Sequence, residues 1–376
     1  MTHYFDNAAT TYLSDRALRA YIETAEEYRA NPSSIHREGQ KAKEKLEATR
    51  SEFAKLLNVD EKSLFFTSGA TESISVFFSS LLWQEPGVII SDKIEHEALS
   101  SFFPILERYG WKIEFVKAKG GFVSPLDIKE KLTKEVKVVA IMNTNNVIGA
   151  IEPIEEISRI IKEKEIEFNH RISFFSDSVQ ALGKTDLDLT NSGVDAASFS
   201  AHKINGPRGV GLLYLKNPER LRSIAAAGGQ ERGKRGGTEN LAGIVAFKAA
   251  LEEWMENRDE SEKRVRECNE TLRNGLLELG CKVISPSVNT TPYILSFSQN
   301  LPSEVFTRVM ADKGFCVSSG SACSNNAKGK SEGILQAMGV KAEDARRAVR
   351  VSFSKDSTLE DTKALLKAIE EVKNNV

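Results

Sequence analysis

Ser198-Phe199-Ser200-Ala201-His202-Lys203, running into the turn Ile204-Asn205-Gly206-Pro207-Arg208-Gly209, places a hydroxyl, an imidazole and an amine where a short apolar run ends. A run that stops this way reads as a buried strand carrying polar side chains to a sheet edge, with glycines letting the chain reverse. Around it, short apolar segments alternate with amphipathic ones: 87–91, 138–143, 172–175, 196–200 and 209–215. That alternation predicts an α/β fold, a mainly parallel sheet covered by helices on both faces. Ligands of such sheets sit at the carboxyl ends of the strands, which makes Ser200, His202 and Lys203 candidates. An amine can form a Schiff base with an aldehyde, while the hydroxyl and imidazole can donate to phosphate and phenolic oxygens, the needs of pyridoxal 5'-phosphate. Taken alone, a lysine beside a turn is first of all a surface residue.

Upstream segments extend the pattern. Asp177, in Phe174-Phe175-Ser176-Asp177-Ser178-Val179-Gln180, ends another apolar run with an amide three positions on. A carboxylate there can hold a pyridine nitrogen protonated, or simply cap the following segment, leaving Gln180 in solvent. Leu64-Phe65-Phe66-Thr67-Ser68-Gly69-Ala70-Thr71-Glu72-Ser73 reads as strand, tight turn and helix start, the helix resting on Ile74, Phe77, Phe78, Leu81 and Leu82. The first amides of that helix, at Ala70 and Thr71, form an anion site or an ordinary helix start. Val349, Val351 and Phe353 alternate with Arg350, whose guanidinium on a strand suits bidentate capture of a carboxylate or an ordinary surface face.

The 376 residues carry a formal charge of -2 and are 40% hydrophobic, enough for a large core in one or two domains. That balance gives no electrostatic argument for nucleic acid. Residues 1–30 lack the apolar core of a signal peptide, and no apolar run has the length of a membrane span. Cys268, Cys281, Cys316 and Cys323 form neither CxxC nor zinc spacing, so no metal site is expected and a cytoplasmic setting is. Cys316 reads as a buried small residue in a strand, and Cys323 as a thiol on a loop spanning about 318–333, rich in Gly, Ser and Asn.

In order along the chain, Tyr4-Phe5-Asp6-Asn7-Ala8-Ala9-Thr10-Thr11, Asn31-Pro32-Ser33-Ser34-Ile35-His36, Thr67-Ser68-Gly69-Ala70-Thr71-Glu72-Ser73, Glu95-His96, Asn145-Asn146, the Asp177 and Lys203 segments, Arg235-Gly236-Gly237-Thr238, Ser318-Ser319-Gly320-Ser321-Ala322-Cys323 and Arg350-Val351-Ser352-Phe353 resemble the cysteine desulfurases of the NifS/IscS kind. These are class V aminotransferase relatives and fold-type I pyridoxal phosphate enzymes. The resemblance runs nearly end to end.

It implies a large cofactor-binding domain at 14–255 and a smaller α+β domain made of 1–13 and 256–376. It implies pyridoxal phosphate on Lys203, contacted by Ala70, Thr71, His96, Asn146, Asp177, Gln180, Ser200 and His202, and by Thr238 across a homodimer. Arg350 and Asn31 are implied as substrate ligands, and Cys323 as the thiol that takes sulfur from L-cysteine. The sulfur would pass to an acceptor protein, such as an iron-sulfur scaffold or a thiolation carrier. A selenocysteine lyase, another class V lyase or aminotransferase, and a non-catalytic scaffold remain alternatives. One departure stands out: family members commonly carry Glu where this chain has Val147.

Overall fold

The computed structural model describes residues 2–225, 227–319 and 330–374, with the side chains of 330–332 left aside; Cys323 lies outside the described residues. Seven strands form the large sheet: β1 (Leu64–Thr67), β2 (Val88–Asp92), β3 (Lys112–Val116), β4 (Val136–Ala140), β5 (Ser173–Asp177), β6 (Ala196–Ser200) and β7 (Gly211–Leu215). Their order is β1-β7-β6-β5-β4-β2-β3. All neighbours are parallel except β7, which runs antiparallel to both β1 and β6. The turn at 204–209 is too short for a crossover helix, so the chain returns antiparallel after Lys203.

Apart from the edge strand β3, whose Lys112 and Glu114 break its apolar residues, the strands are short and largely buried because helices cover both faces. One side is packed by α1 (Asp15–Glu27), α2 (Arg37–Leu57) and α5 (Leu241–Glu256), with α4 (Ile154–Phe168) also on the sheet; α3 (Ala70–Ser80) adds a separate aromatic cluster of Phe77, Phe78 and Phe175. The charged stretch over 241–279 folds as two helices that meet at Asn257. The second, α6 (Arg258–Glu278), packs on α7 (Leu359–Asn374) and on an antiparallel sheet of β8 (Lys282–Val283), β9 (Ile294–Ser298), β10 (Ser318–Ser319) and β11 (Ala348–Ser352). Its hydrophobic stripe includes Val265, Cys268, Leu272 and Leu276.

Residues 3–11 join this second sheet to the end of β6. His3 and Tyr4 pair with Phe315 and Cys316, Ala8 N–H donates to Ser352 Oγ at 2.8 Å, and Thr11 N–H donates to the His202 carbonyl at 2.9 Å. The expected loop over 318–333 has structure at both ends: Ser318 and Ser319 pair with Arg350 and Val349, and a helix runs Lys330–Ala337, with Leu335 packed in the core. Cys316 is half-buried rather than enclosed, since its strand is a two-residue edge pairing.

Candidate active site

A cavity of about 550 Å³ opens at the carboxyl ends of β1, β5 and β6. It is lined by Ala70, Thr71, His96, Asn146, Asp177, Gln180, Ser200, His202 and Lys203, nine residues from five separate stretches of the sequence. Lys203 is half-buried, and its Nζ donates to the carbonyls of Ala8 and Ala9, both at 2.7 Å. The turn behind it is pinned by Asn205, a left-handed residue at φ 62° whose amide donates to Thr11 Oγ1 at 2.7 Å and whose Oδ1 accepts from Trp254 Nε1 at 2.9 Å.

Helix α3 begins at the cavity with Gly69 as its N-cap and no side chain on its first amides, so the positive end of its dipole is free to hold an anion. The turn before α3 lies tightly against β7. A Cβ on Gly211 would stand 2.5 Å from Gly69 Cα and 2.7 Å from the Phe199 carbonyl oxygen, so only glycine admits this approach. Ser200 is buried beside the same turn.

Asp177 is 7% exposed and accepts from Val179 N–H at 3.1 Å and Ser198 Oγ at 3.2 Å. Burial raises its pKa, opposed by His96, those two donors and the Lys203 charge. A buried carboxylate of this kind is stabilised by a cationic partner. His96 caps the short helix Glu97–Ser100, its Nδ1 accepting from Ala98 N–H at 3.1 Å, so the ring proton sits on Nε2 in the neutral form. His202 is pushed down to about 4 by burial and then by the charges of Lys203, Arg208 and Lys184, so its imidazole is neutral at pH 7. Its Nδ1 lies 3.1 Å from Thr10 Oγ1.

Buried carboxyls stand behind the cavity. Glu152, 3% exposed, is pushed up to about 8 by burial, and its Oε2 accepts from Val123 N–H at 2.9 Å. Glu95 is raised by burial and by the charges of Asp92 and Asp177, and accepts from the amide of Met142, another cavity residue.

Arg350 lies on β11, 3% exposed, and not on a surface face. Its NH1 donates to the Asn146 carbonyl at 2.9 Å, and its NH2 to Asp6 Oδ1 at 2.9 Å and Ser318 Oγ at 3.2 Å, while Nε has no partner among the described residues. The guanidinium therefore adjoins the cavity through Asn146 without lining it. Asn31 and Thr238 are exposed and do not line it either: Asn31 Oδ1 accepts from Ser33 N–H at 2.8 Å, and Thr238 follows Arg235, which pairs with Glu72 at 3.1 Å. Val147 is 4% exposed in the main core, so its apolar side chain leaves the cavity wall unchanged. Thr10, Met142 and Arg208 line the cavity without having been singled out in the sequence. Among the described residues no cluster of His, Cys, Asp or Glu could hold a metal ion, and no helix is long and apolar enough to cross a membrane.

The donor set fits pyridoxal phosphate: a primary amine on Lys203, the first amides of α3 with Ser200 for a phosphate, a buried Asp177 carboxylate for a protonated ring nitrogen, and Asn146 Oδ1, buried without a partner among the described residues. A mixed sheet with these groups at its strand ends defines a fold-type I pyridoxal phosphate enzyme. The chain belongs to the aminotransferase class-V family, whose model matches residues 3–365. It is 37% identical over 377 residues to a NifS/IcsS protein homolog of Lactobacillus delbrueckii subsp. bulgaricus, covering 98% of this chain and 96% of that one. It is 35% identical over 385 residues to the cysteine desulfurase IscS of Clostridium botulinum, covering 98% and 94%. A solved NifS-like protein superposes with a TM-score of 0.92 at 34% identity, covering both chains in full.

Proposed function

We propose that this protein is a pyridoxal phosphate-dependent cysteine desulfurase. The observation that supports it most is the Lys203 amine and the buried Asp177 carboxylate lining one cavity whose wall includes the uncapped start of α3. The relatedness to a cysteine desulfurase over nearly the whole chain points the same way.

Bound pyridoxal phosphate supplies an aldehyde that condenses with amines and a ring that stores the electron pair of a broken Cα–H bond. Lys203 is the amine that holds the cofactor and, once released by substrate, the base that moves the Cα proton. Asp177 keeps a proton on the ring nitrogen, Gln180 and Asn146 bind ring substituents, and the α3 amides, Ser200 and His202 bind phosphate. His96, on the cavity wall, would stack on the cofactor ring. Arg350 and Asn31 hold the substrate carboxylate. For Arg350 this requires its bond to Asp6 to be exchanged for one to substrate. The Cys323 thiolate attacks the substrate sulfur: the Cβ–S bond breaks, an S–S bond forms, and the two thiol protons end on the alanine methyl and the persulfide. L-Cysteine and Cys323 thus become L-alanine and a Cys323 persulfide.

The division into a domain at 14–255 and another of 1–13 with 256–376 belongs to the same reading. So do a cytoplasmic setting, a homodimer in which the exposed Thr238 reaches the partner's phosphate, and an acceptor protein in iron-sulfur or thiolation chemistry. Incubation of the purified protein with pyridoxal phosphate and L-cysteine tests it. Alanine should form, and Lys203→Ala should abolish both alanine and the visible band of lysine-bound cofactor. A band retained by Lys203→Ala would assign the wrong lysine, and absence of alanine from the parent would refute the activity.

A further inference from the structure

Lys184 is a buried amine beside the cavity that the proposed chemistry does not use. It is 4% exposed, and among the described residues no carboxylate pairs with it. Its Nζ donates to Gln180 Oε1 at 3.0 Å and lies 5.8 Å from the centre of the Trp254 ring. The turn that delivers it is built tightly, since Gly183, at φ 72°, would bring a Cβ within 3.2 Å of Trp254 Cβ.

Gln180 itself is 3% exposed and lines the cavity. A glutamine amide has a donor end and an acceptor end of nearly equal size, so its partners decide which end faces where. Here they agree. Lys184 supplies hydrogens to Oε1, while Nε2 donates at 3.0 Å to the Ala8 carbonyl, which can only accept. The Ala8 carbonyl also accepts from Lys203 Nζ at 2.7 Å, so one chain of contacts runs from Lys184 through Gln180 and Ala8 to the reactive amine.

We propose that Lys184 is a positioning residue: by donating to Gln180 Oε1 it fixes the Gln180 amide with its NH2 end toward the Ala8 carbonyl and the cavity. The inference rests on the cofactor reading above, because an NH2 group is what an anionic phenolic oxygen needs and a carbonyl would repel it. Without Lys184, Oε1 becomes a buried acceptor that has lost its donor, and the amide keeps only the Ala8 carbonyl of the two partners that oppose its reversal.

The test uses the full-length apoprotein and pyridoxal phosphate itself. Lys184→Met keeps an unbranched apolar stem, one atom shorter, and removes the donor. The dissociation constant, from titration of the visible band, should rise about ten-fold, the size expected for a lost buried hydrogen bond at the ligand. Gln180→Ala should weaken binding to a similar degree, and the double variant should bind no worse than Gln180→Ala alone. The pH midpoint of the visible band should move upward in Lys184→Met, since a phenolate that loses its donor holds the neighbouring proton more tightly. A purely structural lysine would instead give penalties that multiply and an unmoved midpoint, and either result would overturn the proposal. Should Lys184→Met not fold, Gln180→Glu carries the test: it keeps the acceptor for Lys184 but offers no NH2, and cofactor affinity equal to the parent's would overturn the proposal. A parent protein that binds no pyridoxal phosphate would refute the functional reading; a parent that binds it and a Lys184→Met that binds it equally would refute only this inference.

Discussion

Replacing Glu231 with Gln should cost the fold about 3 kcal/mol, the lower end of the cost of breaking a buried ion pair. Glu231 has a side chain with 0% exposure and sits in the left-handed region at φ 45°, ψ 44°. Its carboxylate accepts from Arg50 NH1 at 2.7 Å, Arg50 NH2 at 2.9 Å and the Phe66 amide at 2.7 Å. The Arg50 side chain is 2% exposed and stacks over the Phe66 ring at 4.7 Å. A glutamine has the shape to remain, but its NH2 must face either a guanidinium or an amide, leaving a donor opposed to a donor. Glu47 at 3.1 Å and the Leu64 carbonyl at 2.9 Å still hold the guanidinium, which keeps the loss at the lower end. Urea unfolding at fixed protein and cofactor concentration measures it, within a cycle that adds Arg50→Met. The double variant should be less destabilised than the sum of the single ones by about 2 kcal/mol. A Glu231→Gln cost below about 1 kcal/mol, or additive penalties, would refute the claim that this pair fastens the loop at 228–238 to β1.

Two further outcomes follow from other positions. Gly211→Ala should lower pyridoxal phosphate affinity by about 100-fold while costing about 1–3 kcal/mol of stability, because its Cβ meets both the Gly69 turn at the cavity and the Phe199 carbonyl of β6; titration of the visible band beside urea unfolding separates the two, and unchanged affinity would contradict the close-approach argument. Glu152 is pushed from 4.5 up to about 8 by burial, so between those values the folded chain holds a proton that the unfolded chain has released, and stability falls as pH rises through that window. Glu152→Gln should therefore stabilise the protein at pH 8, by on the order of 4 kcal/mol, and barely change it at pH 4.5; an equal effect at both pH values would show that Glu152 ionises normally.

Part of the candidate site was legible because Asp177, Ser200, His202 and Lys203 end or follow short apolar runs that read as buried strands. Ala196–Ser200 is such a run, and it coincides with β6. Strand direction was not legible: nothing in Gly211–Leu215 distinguishes an antiparallel strand from its parallel neighbours, and only the short return after Lys203 decides it. Edge strand β3 escaped notice because Lys112 and Glu114 interrupt its apolar residues. Contacts across great sequence distance were the least visible. Ala8 meets Lys203, Asp6 meets Arg350 and Glu231 meets Arg50 with no local periodicity to announce them, since each pairing is set by how the layers stack. Arg350 illustrates the limit: alternation located its strand, but both faces of that strand are buried, and its hydrogen bonds go to Asp6, Asn146 and Ser318.

Sulfur transfer to Cys323 is the centre of the account, and mass spectrometry of the pyridoxal phosphate-loaded protein after brief incubation with L-cysteine tests it directly. The peptide containing Cys323 should gain the mass of one sulfur atom in step with alanine release, and Cys323→Ser should bind the cofactor yet gain none. Added sulfur confined to the peptide carrying the half-buried Cys316, or alanine released at the parent rate by Cys323→Ser, would contradict it.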